Sequence, residues 1–216
     1  MAKDTRVQHE LASECLALLQ LANECRGALL LDVGCGGGLS SECVVQAGHF
    51  CVACDINPEM IAQNRQEQST VGSPSTIDMF ASDMRDGVAA RAGVFDGVIS
   101  VSALQWICSD RAGLQRFFAG LHRSLRAGAR ACLQFYPTRE QARLAVLMAR
   151  SAGFDRSGCD LVLTMPHGTR ARKHFLVLTK ASRMDPAARE QQASRNAQAA
   201  HDSTCGCPLA WPIDGA

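Results

Sequence analysis

No stretch of the 216 residues is apolar for the roughly 18 positions needed to span a bilayer. The amino terminus, MAKDTRVQHE, lacks the basic-then-apolar layout of a secretory leader. A soluble, intracellular protein with no membrane partner is therefore expected. An excess of one charge is missing too. With 22 Lys and Arg against 21 Asp and Glu the net charge is +1, so any polyanionic partner must be met by a local patch. The chain has no internal repeat, no GxGxxG and no GKS/T ending, which disfavours nicotinamide dinucleotides and ATP as ligands. It also has no Asn/Asp-Pro-Pro-aromatic run to hold an exocyclic amine, and no Pro-Cys nucleophile to attack a pyrimidine carbon.

Cysteine, by contrast, is abundant, with 11 residues. Cys15, Cys25, Cys43, Cys51, Cys54, Cys108 and Cys132 sit in apolar, core-like segments of a chain long enough to need no disulfides, and read as small buried hydrophobes. Cys51 and Cys54 share one extended run in which an offset of three points them to opposite faces, so no metal site is expected there. Cys205 and Cys207 stand in a polar tail without a companion ligand pair.

Apolar periodicity orders the chain. Leu11, Cys15, Leu18 and Ala22 recur at helical spacing ahead of a buried-strand run at 28–33. A helix over 38–48 and a strand over 50–55 follow, and Asn57-Pro58-Glu59 then caps a helix through Gln66. Segment 76–84 alternates as a half-exposed edge strand, and 95–104 is a fourth strand. A helix over 114–128 closed by Gly128, a strand over 129–137, a helix from about 139 to 152, and strands 160–165 and 173–180 joined at Pro166-His167-Gly168 complete the pattern. Strands alternating with helices and ending in a hairpin imply an α/β, doubly wound Rossmann-like sheet, mostly parallel, whose last strand is antiparallel. Three Arg against four acids make 181–216 a polar tail, expected to be disordered with a transient helix between Pro186 and Ala200.

The candidate site starts at Leu30-Leu31-Asp32-Val33-Gly34-Cys35-Gly36-Gly37-Gly38, a strand running through a glycine turn into a helix. Gly34 and Gly36 admit unusual dihedrals and close approach of backbone to ligand, and the helix start offers free N–H groups to a carboxylate. Asp32 beside the turn would repel a pyrophosphate but suits a ligand carrying an ammonium and a sulfonium, that is, S-adenosylmethionine. Asp55 ends the second strand 23 residues later, near the ~20-residue spacing at which a carboxylate grips ribose hydroxyls. Asp83, ending the third strand, is placed to accept from the adenine amino group, with the Met84 backbone facing the ring. Cys35 and Gly38, within the turn, are further candidate cofactor contacts. Trp106, Phe135 and Tyr136, the last the only tyrosine, lie just past strand ends on the same edge and could stack on a flat substrate, though a structural role suits them equally.

The motifs LLDVGCGGGLS, QAGH, CDINPEM, FDGVISVSALQW, RFFAGLHRSLRAGARACLQFYP and TRARKHFLVL closely resemble the eukaryotic 18S rRNA (guanine-N7) methyltransferase family, from about Leu11 to Thr179. The resemblance implies a class I, seven-stranded methyltransferase domain over 11–180 between a short lead (1–10) and the tail. It implies methylation of one guanine at N7 during small-subunit biogenesis, in the nucleus (nucleolus and nucleoplasm) and cytoplasm. Expected partners are 18S rRNA in the pre-40S particle and a small zinc-binding activator that pairs with the edge strand at 76–82. By the same resemblance Ile56 and Ser100 would join the cofactor site, and Gln105, Trp106 and Tyr136 would face the base. Attack by N7 through its own lone pair needs no catalytic base, only orientation and exclusion of water. The sequence departs from the family in its short lead, its shorter loop after Trp106 and its non-basic tail, where only Arg170, Arg172, Lys173 and His174 form a basic cluster. An assembly factor with weak or lost methylation and a small-molecule methyltransferase are the alternatives.

Overall fold

The computed structural model describes residues 2–21, 27–70, 77–165 and 172–182. These fall in one compact unit, Met1–Ser182; a second unit, Arg183–Ala216, lies outside the described residues together with the expectations placed on the tail, Cys25, Cys205, Cys207, Arg170 and the 166–168 turn.

Helix α1 (Ala2–Leu19) leads into β1 (Leu29–Val33), α2 (Leu39–Gln46), β2 (Phe50–Asp55), α3 (Pro58–Thr70) and β3 (Ile77–Ala81). Then come β4 (Phe95–Val101), α4 (Arg111–Ser124), β5 (Leu125–Phe135), α5 (Arg139–Ser151), β6 (Cys159–Thr164) and β7 (Lys173–Thr179). The sheet order is β3-β2-β1-β4-β5-β7-β6, with β7 antiparallel to both neighbours. The expected doubly wound sheet with an antiparallel closing strand is thus the observed one, and β3 is an edge.

Strand pleating divides the core in two. Leu31, Val98, Leu133 and Leu176 pack towards α4 and α5, whereas Leu30, Ile99, Cys132 and Phe175 pack towards α1 and α2. Cys51 and Cys54 fall in opposite cores, as their offset requires, and the eight cysteines described as free are all buried. Among the described residues no helix is long and apolar enough to cross a membrane, and no cluster of side chains could hold a metal.

Several boundaries move for identifiable reasons. The lead at 1–10 is the first half of α1, and Leu19, rather than Leu18, is its buried residue near the end. β3 stops at Ala81 because the Asp83 side chain caps a short 3-10 turn, Met84–Asp86. β4 stops at Val101 because Ser102 turns to φ 57. Helix α4 starts earlier, at Arg111, where the Asp110 carboxylate accepts from the Gly113 N–H, and it ends at Ser124. Gly128, expected to close that helix, instead takes φ 81 inside β5, where its N–H donates to the Lys180 carbonyl.

Gly120 on α4 lies so close to the loop before β4 that a Cβ there would stand 2.5 Å from the Val88 backbone nitrogen. Gly120→Ala is expected to lower the unfolding free energy by about 1–3 kcal/mol in urea titrations, even though alanine favours an isolated helix.

Candidate active site

The chain order reverses between β1 and β4, and the carboxyl ends of parallel strands at such a reversal leave a crevice. A hollow of about 520 Å³ opens there. Gly34, Cys35, Gly36, Asp55, Ile56, Asp83, Met84 and Trp106, all singled out from sequence, line it. Gly34 adopts φ 75, and a Cβ on it would come within 2.3 Å of the Ala103 side chain, so only glycine fits this crossing. Gly36 adopts φ 49 and has nothing within 4 Å of a notional Cβ.

Asp55 braces the turn, one carboxylate oxygen accepting from the Gly36 N–H at 2.9 Å and the other from the Asn57 N–H at 2.9 Å. Each oxygen retains acceptor capacity towards the hollow. Asp83 stands at the far end, its carboxyl held below the ordinary carboxylate range first by hydrogen bonding to the Arg85 side chain. Ile56 is exposed at the mouth, and Trp106 on the rim is 82% exposed.

Six residues singled out from sequence do not line the hollow, and four of them support it or its neighbouring loop from behind. Asp32 has no exposure. One of its oxygens accepts from both the Ser40 and Ser41 hydroxyls at 2.6 Å, and the other is buried without a hydrogen-bond partner. Strand alternation turns this carboxylate towards α2 and away from the ligand space. Ser100 is buried and donates to the Val33 carbonyl at 2.7 Å, fixing the strand end just before Gly34. Gly38 takes φ 82 as the residue preceding α2. Gln105 spends its amide N–H on the Ser102 carbonyl at 2.6 Å, and its own oxygen is buried.

The remaining two sit further off. Phe135 is wholly buried in the α4–α5 core, which corrects its expected place beside the substrate; as the last residue of β5 its ring points into the sheet's underside. Tyr136, one position on, is half-exposed and lies under the Lys173 ammonium, 5.0 Å from the ring centroid.

Other residues came without a usable sequence signal. Asn64, buried on α3, donates to the Gly36 carbonyl at 2.8 Å and holds the turn from the side. Gln134, buried at the end of β5, accepts from the Ser102 N–H and hydroxyl at 3.0 and 2.9 Å, securing the left-handed residue that opens the Gln105–Trp106 loop. Gln8, from the segment taken as a lead, and Arg85 also line the hollow. Cys35 lines it as well, but burial pushes its thiol well above the ordinary range, with Asp32 and Asp55 adding to the shift, so it presents a neutral thiol and no nucleophile.

Known proteins show what the chain is similar to. The methyltransferase-domain family matches residues 31–133. The chain is 39% identical over 183 residues to an 18S rRNA (guanine-N(7))-methyltransferase of Arabidopsis thaliana, covering 80% of this chain and 60% of that protein. It is 36% identical over 159 residues to the 18S rRNA (guanine(1575)-N(7))-methyltransferase of Saccharomyces cerevisiae, covering 69% and 56% respectively. The chain is thus similar to 18S rRNA (guanine-N7) methyltransferases over the part they share. It spans between 52% and 65% of the length of the family relatives it matches.

Solved structures agree on the class I fold. A TehB-like SAM-dependent methyltransferase of Corynebacterium glutamicum aligns with TM-score 0.55 at 19% identity, covering 80% of this chain and 87% of that one. A chain of the complex between the Haloferax volcanii Trm112 methyltransferase activator and a methyltransferase aligns with TM-score 0.61 at 14% identity, covering 85% and 94%. The hollow fits the S-adenosylmethionine expected from the sequence: a side-chain-free glycine cradle at one end, a strand-end carboxylate in the middle and a second at the far end.

Burial pushes the Asp32 carboxyl up to about 6; the Ser40 and Ser41 hydroxyls oppose the shift and Asp55 adds to it. With its native value above the ordinary ~3.9, the folded protein keeps this proton where the unfolded chain has released it. The associated stability is full below about pH 4 and is lost as pH rises through about 6. In urea titrations the stability of wild type relative to Asp32→Asn should therefore fall by on the order of 2–3 kcal/mol between these limits; a flat difference would show that Asp32 does not titrate there.

Proposed function

We propose that this chain transfers a methyl group from S-adenosylmethionine to N7 of a guanine in 18S rRNA within small-subunit precursors. The reading is carried by one arrangement, a hollow between a glycine turn and strand-end acids that opens directly onto an exposed tryptophan. The similarity to 18S rRNA (guanine-N7) methyltransferases supports the substrate. In the alignment stage of the reaction, Asp55 would hold the ribose hydroxyls, Asp83 the adenine amino group and the Gly34–Gly36 backbone the amino-acid end. When bound, the cofactor supplies a methyl group on a cationic sulfur.

Trp106 at the rim offers a flat, exposed face on which a purine can stack, excluding water from the transfer line. Gln134 and Ser102 set that rim rigidly. Guanine N7 attacks with its own lone pair, so the chain needs no general base, and Cys35 stays out of the chemistry as a neutral thiol. Substrate binding is proposed to draw on Arg172 and Lys173 at the start of β7, close to Tyr136. Work on precursors of the small subunit would place the protein in the nucleus, with passage to the cytoplasm.

The proposed protein partner is a small zinc-binding activator that adds a strand to β3. The Ser82 N–H donates to the Asp55 carbonyl. By parallel-ladder alternation the backbone groups of Ile77, Met79 and Ala81 then point outwards, the geometry strand addition uses. The Met79 carbonyl takes a hydrogen bond from the Arg65 guanidinium, so an incoming strand has to share or displace that contact.

Asp55→Ala is expected to weaken S-adenosylmethionine binding about ten- to a hundredfold by calorimetry, the loss of hydrogen bonds to a charged acceptor. Reduction and strand scission of 18S rRNA from cells lacking the protein should lose the N7-methylguanine cleavage signal. Its persistence would refute the rRNA assignment, and turnover without RNA would favour a small-molecule substrate. Co-expression with the activator should raise the soluble yield of the chain; a soluble, fully active monomer would count against pairing at β3.

A further inference from the structure

The Asp83 carboxylate has four strong acceptor positions, two on each oxygen, and Arg85 engages both oxygens. One oxygen accepts from the Arg85 backbone N–H at 2.9 Å and from Nε at 3.1 Å. The other accepts from the same Nε at 2.8 Å and forms an ion pair with Nη2 at 2.6 Å. Both residues line the hollow. The carboxylate assigned to an adenine amino group is thus already engaged at both oxygens, and an incoming donor competes with the guanidinium for it.

The guanidinium can leave without dismantling the turn. The Arg85 backbone is pinned separately, its N–H to Asp83 and its carbonyl by the Arg116 Nε at 2.7 Å. The Arg85 side chain is 49% exposed, so the charge swings into solvent at little cost.

We propose that Arg85 gates the adenine end of the hollow, holding the Asp83 carboxylate until the amino group of an adenosyl ligand displaces the guanidinium. The proposal rests on the assignment of Asp83 to adenine. The gate lowers apparent affinity by the fraction of molecules in which Asp83 is engaged. It also favours ligands that carry a donor at the purine 6-position, because only a donor replaces what Asp83 gives up. A purine with an acceptor there leaves the carboxylate bound to Arg85.

Calorimetric titration with S-adenosylhomocysteine tests this, since that ligand lacks the sulfonium charge and so removes direct repulsion by Arg85. Four full-length proteins are compared: wild type, Arg85→Ala, Asp83→Asn and the double variant, each checked for an unchanged melting profile. Arg85→Ala should bind about two- to fivefold more tightly, the range an exposed ion pair supports, and the gain should vanish in the Asp83→Asn background. Equal or weaker binding by Arg85→Ala, or a gain that survives without the Asp83 carboxylate, overturns the gate. In the Arg85→Ala background, Asp83→Asn should weaken binding. If it does not, the adenine assignment itself is wrong, and undetectable binding by all four proteins sinks both.

Discussion

Asp32, without any exposure to solvent, ties the end of β1 to the first turn of α2 through two hydroxyls that converge on one carboxylate oxygen at 2.6 Å. Everything at the ligand end of the sheet is referenced to that knot. The glycine turn spans the short gap between the two elements it joins, and Asn64, Cys54 and Asp55 clamp its backbone from the remaining sides. A buried carboxylate is costly unless hydrogen-bonded. Here half of it is, and burial raises its pKa against the pull of the two hydroxyls. The site is therefore built with some stored instability, which is common where backbone must be held in an uncommon shape.

A second anchor works on the opposite wall. Gln134 holds Ser102 in a left-handed conformation that serine adopts rarely, and that twist ends β4 and throws the Gln105–Trp106 loop across the crevice mouth. Gly34 and Ala103 then pass close enough that no side chain fits at position 34. The two walls of the hollow are thus in direct contact at their base, so its width is set by packing and not by loop mobility.

The fold was legible because each layer repeats a period. Runs such as LLLDV and FCVACD have no polar face, as strands buried on both sides require, and α4 carries Leu114, Phe117, Phe118 and Leu121 on one stripe. The residues lining the hollow were legible where the backbone itself carries the signal, at Gly34, Gly36, Asp55 and Asp83. Side-chain direction was not. Asp32 and Ser100 face away from the ligand space because a strand alternates its sides, and Phe135 and Tyr136, adjacent in sequence, part into core and surface for the same reason. Asn64, Gln134 and Arg85 act through contacts many residues away, or through a turn that ended β3 earlier than its pattern suggested, and nothing in their local sequence marks them.

The eight buried thiols give the molecule a further property. None is joined to another, and most are shifted away from their reactive anionic form by desolvation. Apart from Cys35, which lines the hollow, an alkylating reagent meets them only when a segment opens, so the pace of modification at each position records how often that part of the interior is breached. Cys108 and Cys159 sit in one core, Cys15 and Cys43 in the other, and the chain therefore carries built-in clocks on both sides of its sheet.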